Sequence, residues 1–124
     1  MSQFELFGIA STKAPRLPSV GTCNARCLWL MLNRGWLDND SLRTYGMSNA
    51  SRRAKDLADL YDWQVVTRWK DYLRPDGKVV AVKEYRADPI WLNSLVGSDA
   101  EFAQRLLLWS QKQNEHEQAH GGEA

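Results

Sequence analysis

The stretch whose reading decides the fold is Asn39-Asp40-Ser41-Leu42-Arg43-Thr44-Tyr45, then Gly46-Met47-Ser48, then Asn49-Ala50-Ser51-Arg52-Arg53-Ala54-Lys55-Asp56-Leu57-Ala58-Asp59-Leu60-Tyr61. Asp38 precedes the first run as an N-cap, and Ser48 or Asn49 serves the second, because a short side-chain oxygen satisfies amides that the first helical turn leaves open. In the second run Ala50, Ala54, Leu57, Ala58 and Tyr61 fall on one narrow stripe at helical spacing. Its alanines allow close approach to neighbouring helices. Two short helices joined by a tight Gly-containing turn read as a helix-turn-helix.

A ribbon comes directly after these helices. Gln64 to Leu73 alternates, with 65, 67, 69 and 71 on one face and 66, 68, 70 and 72 on the other. Arg74-Pro75-Asp76-Gly77 supplies turn chemistry, and Lys78 to Arg86 returns with the valines that suit a strand. Upstream, Thr22 to Arg34 forms a helix whose stripe is Cys27, Leu28, Met31 and Leu32, widened by Trp29 and Leu30, with Gly35 as its terminator. Three helices followed by a hairpin make the expected class α+β, a winged helix-turn-helix with a C-terminal helical extension.

Outward from this unit the chain divides into an N-terminal arm or linker over 1–20, the winged domain over 21–87, a helical extension over 88–116 and a disordered tail over 117–124. In the arm, Phe4 to Ile9 suits a short strand or an anchor. Ser11 to Ser19, with two prolines and two cations, suits a linker that either touches a DNA groove or is a flexible terminus. Asp88-Pro89 opens a helix that Gly97 closes, and Ser98-Asp99-Ala100-Glu101 has the form of a capping box. The next helix carries Phe102, Leu106 and Trp109 on one stripe, beside Ala103 and Leu107. That stripe either packs back onto the domain or forms a homodimer through the C-terminal helix.

At 124 residues there is room for one core, and the 44% hydrophobic and 25% charged content is ordinary for a globular protein. The net charge of +1 hides a split: residues 21–86 hold twelve Lys/Arg against eight Asp/Glu, a net +4, and residues 87–124 hold two against six, a net −4. A basic middle fits a polyanionic partner. No signal peptide or membrane-length apolar run is read, so the expected place is the cytoplasm, with no membrane partner.

Chemistry-bearing candidates derive from the helix-turn-helix. Ser48, Asn49, Ser51, Arg52, Arg53 and Lys55 lie at or near the N-terminal part of the third helix, the part that enters a major groove. Cations there suit phosphates, and Asn and Ser suit base edges. Arg53 has a second possible role, bracing the second helix. Arg68, Lys70, Arg74 and Lys78 cluster towards the hairpin tip, where a wing meets phosphates. Any of these positions also suits a plain solvated surface.

Cys23 and Cys27 share a helix face at a spacing of four and read as two small core residues, not a disulfide or a zinc site. His116-Glu117-Gln118-Ala119-His120 matches the zinc-protease pattern, but the chain has no third His and no flanking apolar residues to shelter a metal. No catalytic residue, metal or cofactor is expected.

The segment from Ala25 to Tyr85 resembles small winged helix-turn-helix proteins of phage and prophage genomes. The matching residues are Cys27-Leu28-Trp29-Leu30-Met31-Leu32-Asn33-Arg34-Gly35, Leu42 to Gly46, Arg53-Ala54-Lys55-Asp56-Leu57, Asp76-Gly77 and Lys83-Glu84-Tyr85-Arg86. That pattern usually ends its third helix on Gly, where this chain has Asp62. The resemblance implies double-stranded DNA binding in transcription regulation. Such proteins also include some that bind other proteins, so the alternative is a non-enzymatic module that binds or inhibits a protein partner.

Overall fold

Each element begins where a side chain closes its first turn. A computed structural model describes residues 5–7 and 14–120. Strand β1 is Glu5–Phe7, and helices α1 (Cys23–Arg34), α2 (Asn39–Thr44) and α3 (Ala50–Tyr61) follow. Then come strands β2 (Val65–Leu73) and β3 (Val79–Ala87), and helices α4 (Pro89–Ser98) and α5 (Ala100–His120). Thr22 caps α1 by accepting from the Ala25 amide, and Asp38 caps α2 by accepting from the Ser41 amide at 2.8 Å. The class is α+β, and no described helix is long and apolar enough to cross a membrane.

The turn between α2 and α3 is built from backbone bonds: Gly46 donates to Arg43 at 3.0 Å and Met47 to Leu42 at 2.9 Å. Gly46 sits at φ +74°, a left-handed geometry that glycine adopts without a Cβ penalty. Asn49 takes φ +63° and caps α3 by accepting from the Arg52 amide. Asp62, where the related pattern has Gly, ends α3 at φ +61°. Asn and Asp tolerate this region better than other L-residues.

The sheet is antiparallel in the order β1-β2-β3, and β2 and β3 pair without a break from Val65–Ala87 to Leu73–Val79. Leu37, in the link between α1 and α2, joins the outer edge of β3. Its amide donates to the Tyr85 carbonyl at 2.9 Å, and the Tyr85 amide donates back at 2.8 Å. The core lies between α1, α3 and the sheet base, where Cys27, Leu28, Leu30, Leu37, Leu42, Ala54, Leu57 and Val65 are buried. Phe102 and Trp109 of α5 close it.

Several expectations change. Residues 14–19 form a packed strap instead of a loose linker: Pro15 and Pro18 are buried, the Arg16 amide donates to Tyr61 at 2.8 Å, and Trp109 Nε1 donates to the Pro18 carbonyl at 2.7 Å. The rest of the proposed linker, residues 11–13, lies outside the described residues. Gly97 lies inside α4, which ends one residue later. The cap of α5 is Asp99, whose carboxylate accepts from Phe102 at 2.9 Å, while the Ser98 hydroxyl turns back to the Leu95 carbonyl. A carboxylate at the start of a helix also meets the positive end of the helix dipole. The tail expected to be disordered from residue 117 is helical to His120, so the extension reaches beyond 116; residues 121–124 lie outside the described residues. The α5 stripe, Phe102 and Trp109, is buried in the chain's own core, leaving Leu107 and Leu108 exposed.

Candidate nucleic-acid interface

Helix α3 buries Ala50, Ala54 and Leu57 and turns the other side outward. Ser48, Asn49, Ser51, Arg52 and Lys55 are exposed. The helix is placed by a side chain that local spacing does not reveal: Asn39, the first residue of α2, accepts from the Ala50 amide at 2.7 Å. It closes the first turn of α3 from outside and locks the two helices together. Asn49 already holds the Arg52 amide, so its side-chain oxygen is committed to the cap.

The seven cationic candidates separate into three groups. Arg52 and Lys78 have no side-chain partner among the described residues. Lys55 pairs with Asp59 at 3.6 Å and Arg74 with Asp76 at 3.0 Å, exposed pairs that exchange readily for phosphate. Arg53, Arg68 and Lys70 serve the protein. Arg53 donates to Asn24 Oδ1 at 3.2 Å and lies 3.7 Å from Asp56, so it braces α1, not α2. Arg68 donates to buried Glu84 at 2.8 Å and stacks over Trp36, its guanidinium carbon 4.3 Å from the ring centroid. Lys70 lies 3.3 Å from the other Glu84 oxygen and 3.7 Å from Asp38.

Glu84 therefore neutralises two of the four candidate cations on the ribbon. Its role was legible: a ribbon turning at Asp76-Gly77 sets Arg68 opposite Glu84, and opposite charges across an antiparallel pair attract. Asn39, Asn24 and Trp36 carried no such signal.

Cys27 is buried as expected, and burial pushes its thiol up to about 12. Cys23 is exposed instead of buried, at the first turn of α1. It lines a cleft of about 200 Å³ with Arg26, Met47, His116 and Glu117. Glu117, the base of the zinc-protease pattern, is committed elsewhere: it accepts from Arg26 Nε at 2.8 Å and from Gln113 Nε2 at 2.7 Å. Among the described residues no three His, Cys, Asp or Glu side chains are grouped to hold a metal ion. Zinc is expected to bind weakly, and a chelator to leave the melting temperature unchanged. A large drop on chelation would establish a structural metal.

Comparison of the chain with protein-family models, with curated proteins and with solved structures gives no match.

Proposed function

We propose that the chain is a winged helix-turn-helix protein that binds duplex DNA through the N-terminal half of α3, with the β2–β3 ribbon as the wing. The exposed polar side of α3 carries this reading. It combines Ser48, Ser51, an Arg52 with no side-chain partner among the described residues and a weakly paired Lys55, on a helix whose opposite side is buried alanine and leucine. The Leu37 bridge adds support, since a single strand residue between the first two helices tethers the ribbon edge to the helical unit. In this reading Arg52 and Lys55 meet phosphates or base edges, Ser48 and Ser51 donate or accept hydrogen bonds, and Lys78 and Arg74 meet backbone phosphates from the wing. Arg53, Arg68 and Lys70 position these groups. A regulatory role of the phage or prophage type rests on the sequence resemblance.

The test is binding of a random duplex pool at low and moderate salt. Wild type is expected to bind with clear salt dependence. Arg52→Ala/Lys55→Ala should weaken binding across all sequences and lower the salt slope by about one unit for each phosphate no longer neutralised. A base contact among them would add about 1–3 kcal/mol on the preferred site alone. Arg53→Ala is a poor probe, because it also unpairs Asn24 and Asp56. No salt-sensitive binding, or a double variant that binds like wild type, would sink the DNA reading. A protein partner would then lead, a reading favoured by the apolar side chains that Trp69, Leu73 and Val79 expose on the ribbon.

A further inference from the structure

The distal half of the ribbon combines an unused backbone edge with an unused apolar face. In an antiparallel ladder, residues alternate between exchanging both bonds with the neighbour strand and turning both groups away. Tyr85 turns its N–H and C=O outward, to Leu37, and Lys78 turns its carbonyl inward, to the Arg74 amide. With no bulge between them, Val79 and Ala81 direct their N–H and C=O outward, and no bond to them is made from that side among the described residues. The same residues belong to the face that carries Trp69, Leu73 and Val79, which are 62%, 67% and 63% exposed. Lys83, the one cation on this face among the described residues, lies over the Trp69 ring at 5.6 Å from its centroid. A lysine pointing off the edge is a common guard against strand pairing, and here its ammonium is held over its own sheet.

We propose that the β3 edge is a self-association site that takes a second copy of this chain, pairing antiparallel with its own β3 about a two-fold axis at Ala81. The pattern is self-complementary. Ala81 meets Ala81 of the second copy, a small side chain on the two-fold axis, and the two exchange both backbone bonds as Leu37 and Tyr85 do on the same edge. Val79 then lies alongside Lys83 of the other copy. The two rows that flank the axis read Trp69, Lys83, Val79, Leu73, so the lysine stem runs between apolar groups while its ammonium stays over tryptophan, and the row on the axis reads Asp71, Ala81, Ala81, Asp71. Leu37 fills the place opposite Tyr85, so the ladder stops there. The turn of the second copy then lies towards the cleft of about 300 Å³ between α2 and β3. An isologous contact of this kind closes at two copies. It does not depend on DNA binding.

The test is sedimentation equilibrium of the full chain without nucleic acid, from about 1 μM to about 1 mM. Wild type is expected to pass from monomer to dimer. Ala81→Pro removes only outward amides, which proline on an edge strand allows, and should raise the dissociation constant about tenfold or more. Val79→Lys sets like charges beside Lys83 and should do the same. Both variants should keep the wild-type circular dichroism and melting temperature. A wild type that stays monomeric throughout overturns the proposal. So does a dimer that survives both substitutions, including one broken instead by Leu108→Lys on α5.

Discussion

Glu117→Ala is expected to destabilise the protein by about 2–4 kcal/mol, although Glu117 lies three residues from the end of α5. Its carboxylate is buried and anchors a chain of polar contacts that ties α5 to the start of α1. One oxygen accepts from Arg26, whose guanidinium also donates to the Tyr45 carbonyl at 2.7 Å. The other accepts from Gln113, which is fully buried and in turn accepts from the Gly21 amide at 3.0 Å. Removing the carboxylate leaves the Gln113 amide with an unmet buried donor and Arg26 with a half-empty guanidinium. Arg26 retains some exposure, which sets the cost below that of breaking a fully buried pair. Glu117→Gln keeps an oxygen for one of the two donors and should cost roughly half as much. Urea titrations of the three proteins measure this. A loss below about 0.5 kcal/mol for Glu117→Ala would mean that the end of α5 is no more than a solvated surface.

A second large effect is expected at Trp63, where the end of α3 meets α4 and α5. Trp63→Ala should cost about 3–5 kcal/mol, the range for emptying a large buried ring site. The ring lies edge-on to Trp91 at 5.6 Å between centroids and tilted against Phe102 at 6.2 Å. Its Nε1 donates to the Arg16 carbonyl at 2.8 Å, which fixes the strap over residues 14–19. Trp63→Phe keeps most of the ring and strands that carbonyl, a loss of about 1–3 kcal/mol. Because the rings touch, Trp63→Ala and Phe102→Ala should be non-additive by about 0.5–3 kcal/mol. Additive losses in a double-mutant cycle would show that α4 and α5 pack independently of α3, against the ring contacts between them.

The elements of this protein were legible because each is set by residues close in sequence. Thr22, Asp38, Asn49 and Asp88 cap the helices that they precede, Gly46 and Gly77 turn where a positive φ is needed, and the valine-rich β3 pairs with β2 without a break. Periodicity also placed the buried side of α3 correctly. The errors lie at junctions. Ser98 and Asp99 can both cap a helix, but α4 runs through Ser98 and Asp99 takes the cap. Gly97 reads as a stop, but a glycine costs a helix only about 1 kcal/mol and tertiary contacts override that.

What the sequence determined by itself was the order of helices and strands, the caps of the helices before α5 and the inward stripe of α3, since these depend on interactions within a few residues. Tertiary structure alone decided the fate of Arg53 and Arg26. Arg53 finds Asn24 and Arg26 finds Glu117, partners 29 and 91 residues away. Such a cation carries no mark in the sequence of whether it will face solvent or a partner brought from elsewhere in the chain, whereas the ribbon's own register sets Arg68 opposite Glu84. The polar run from Asn114 to His120 shows the same limit: it resembles a frayed end, and it is ordered because α1 holds the arginine that its glutamate needs.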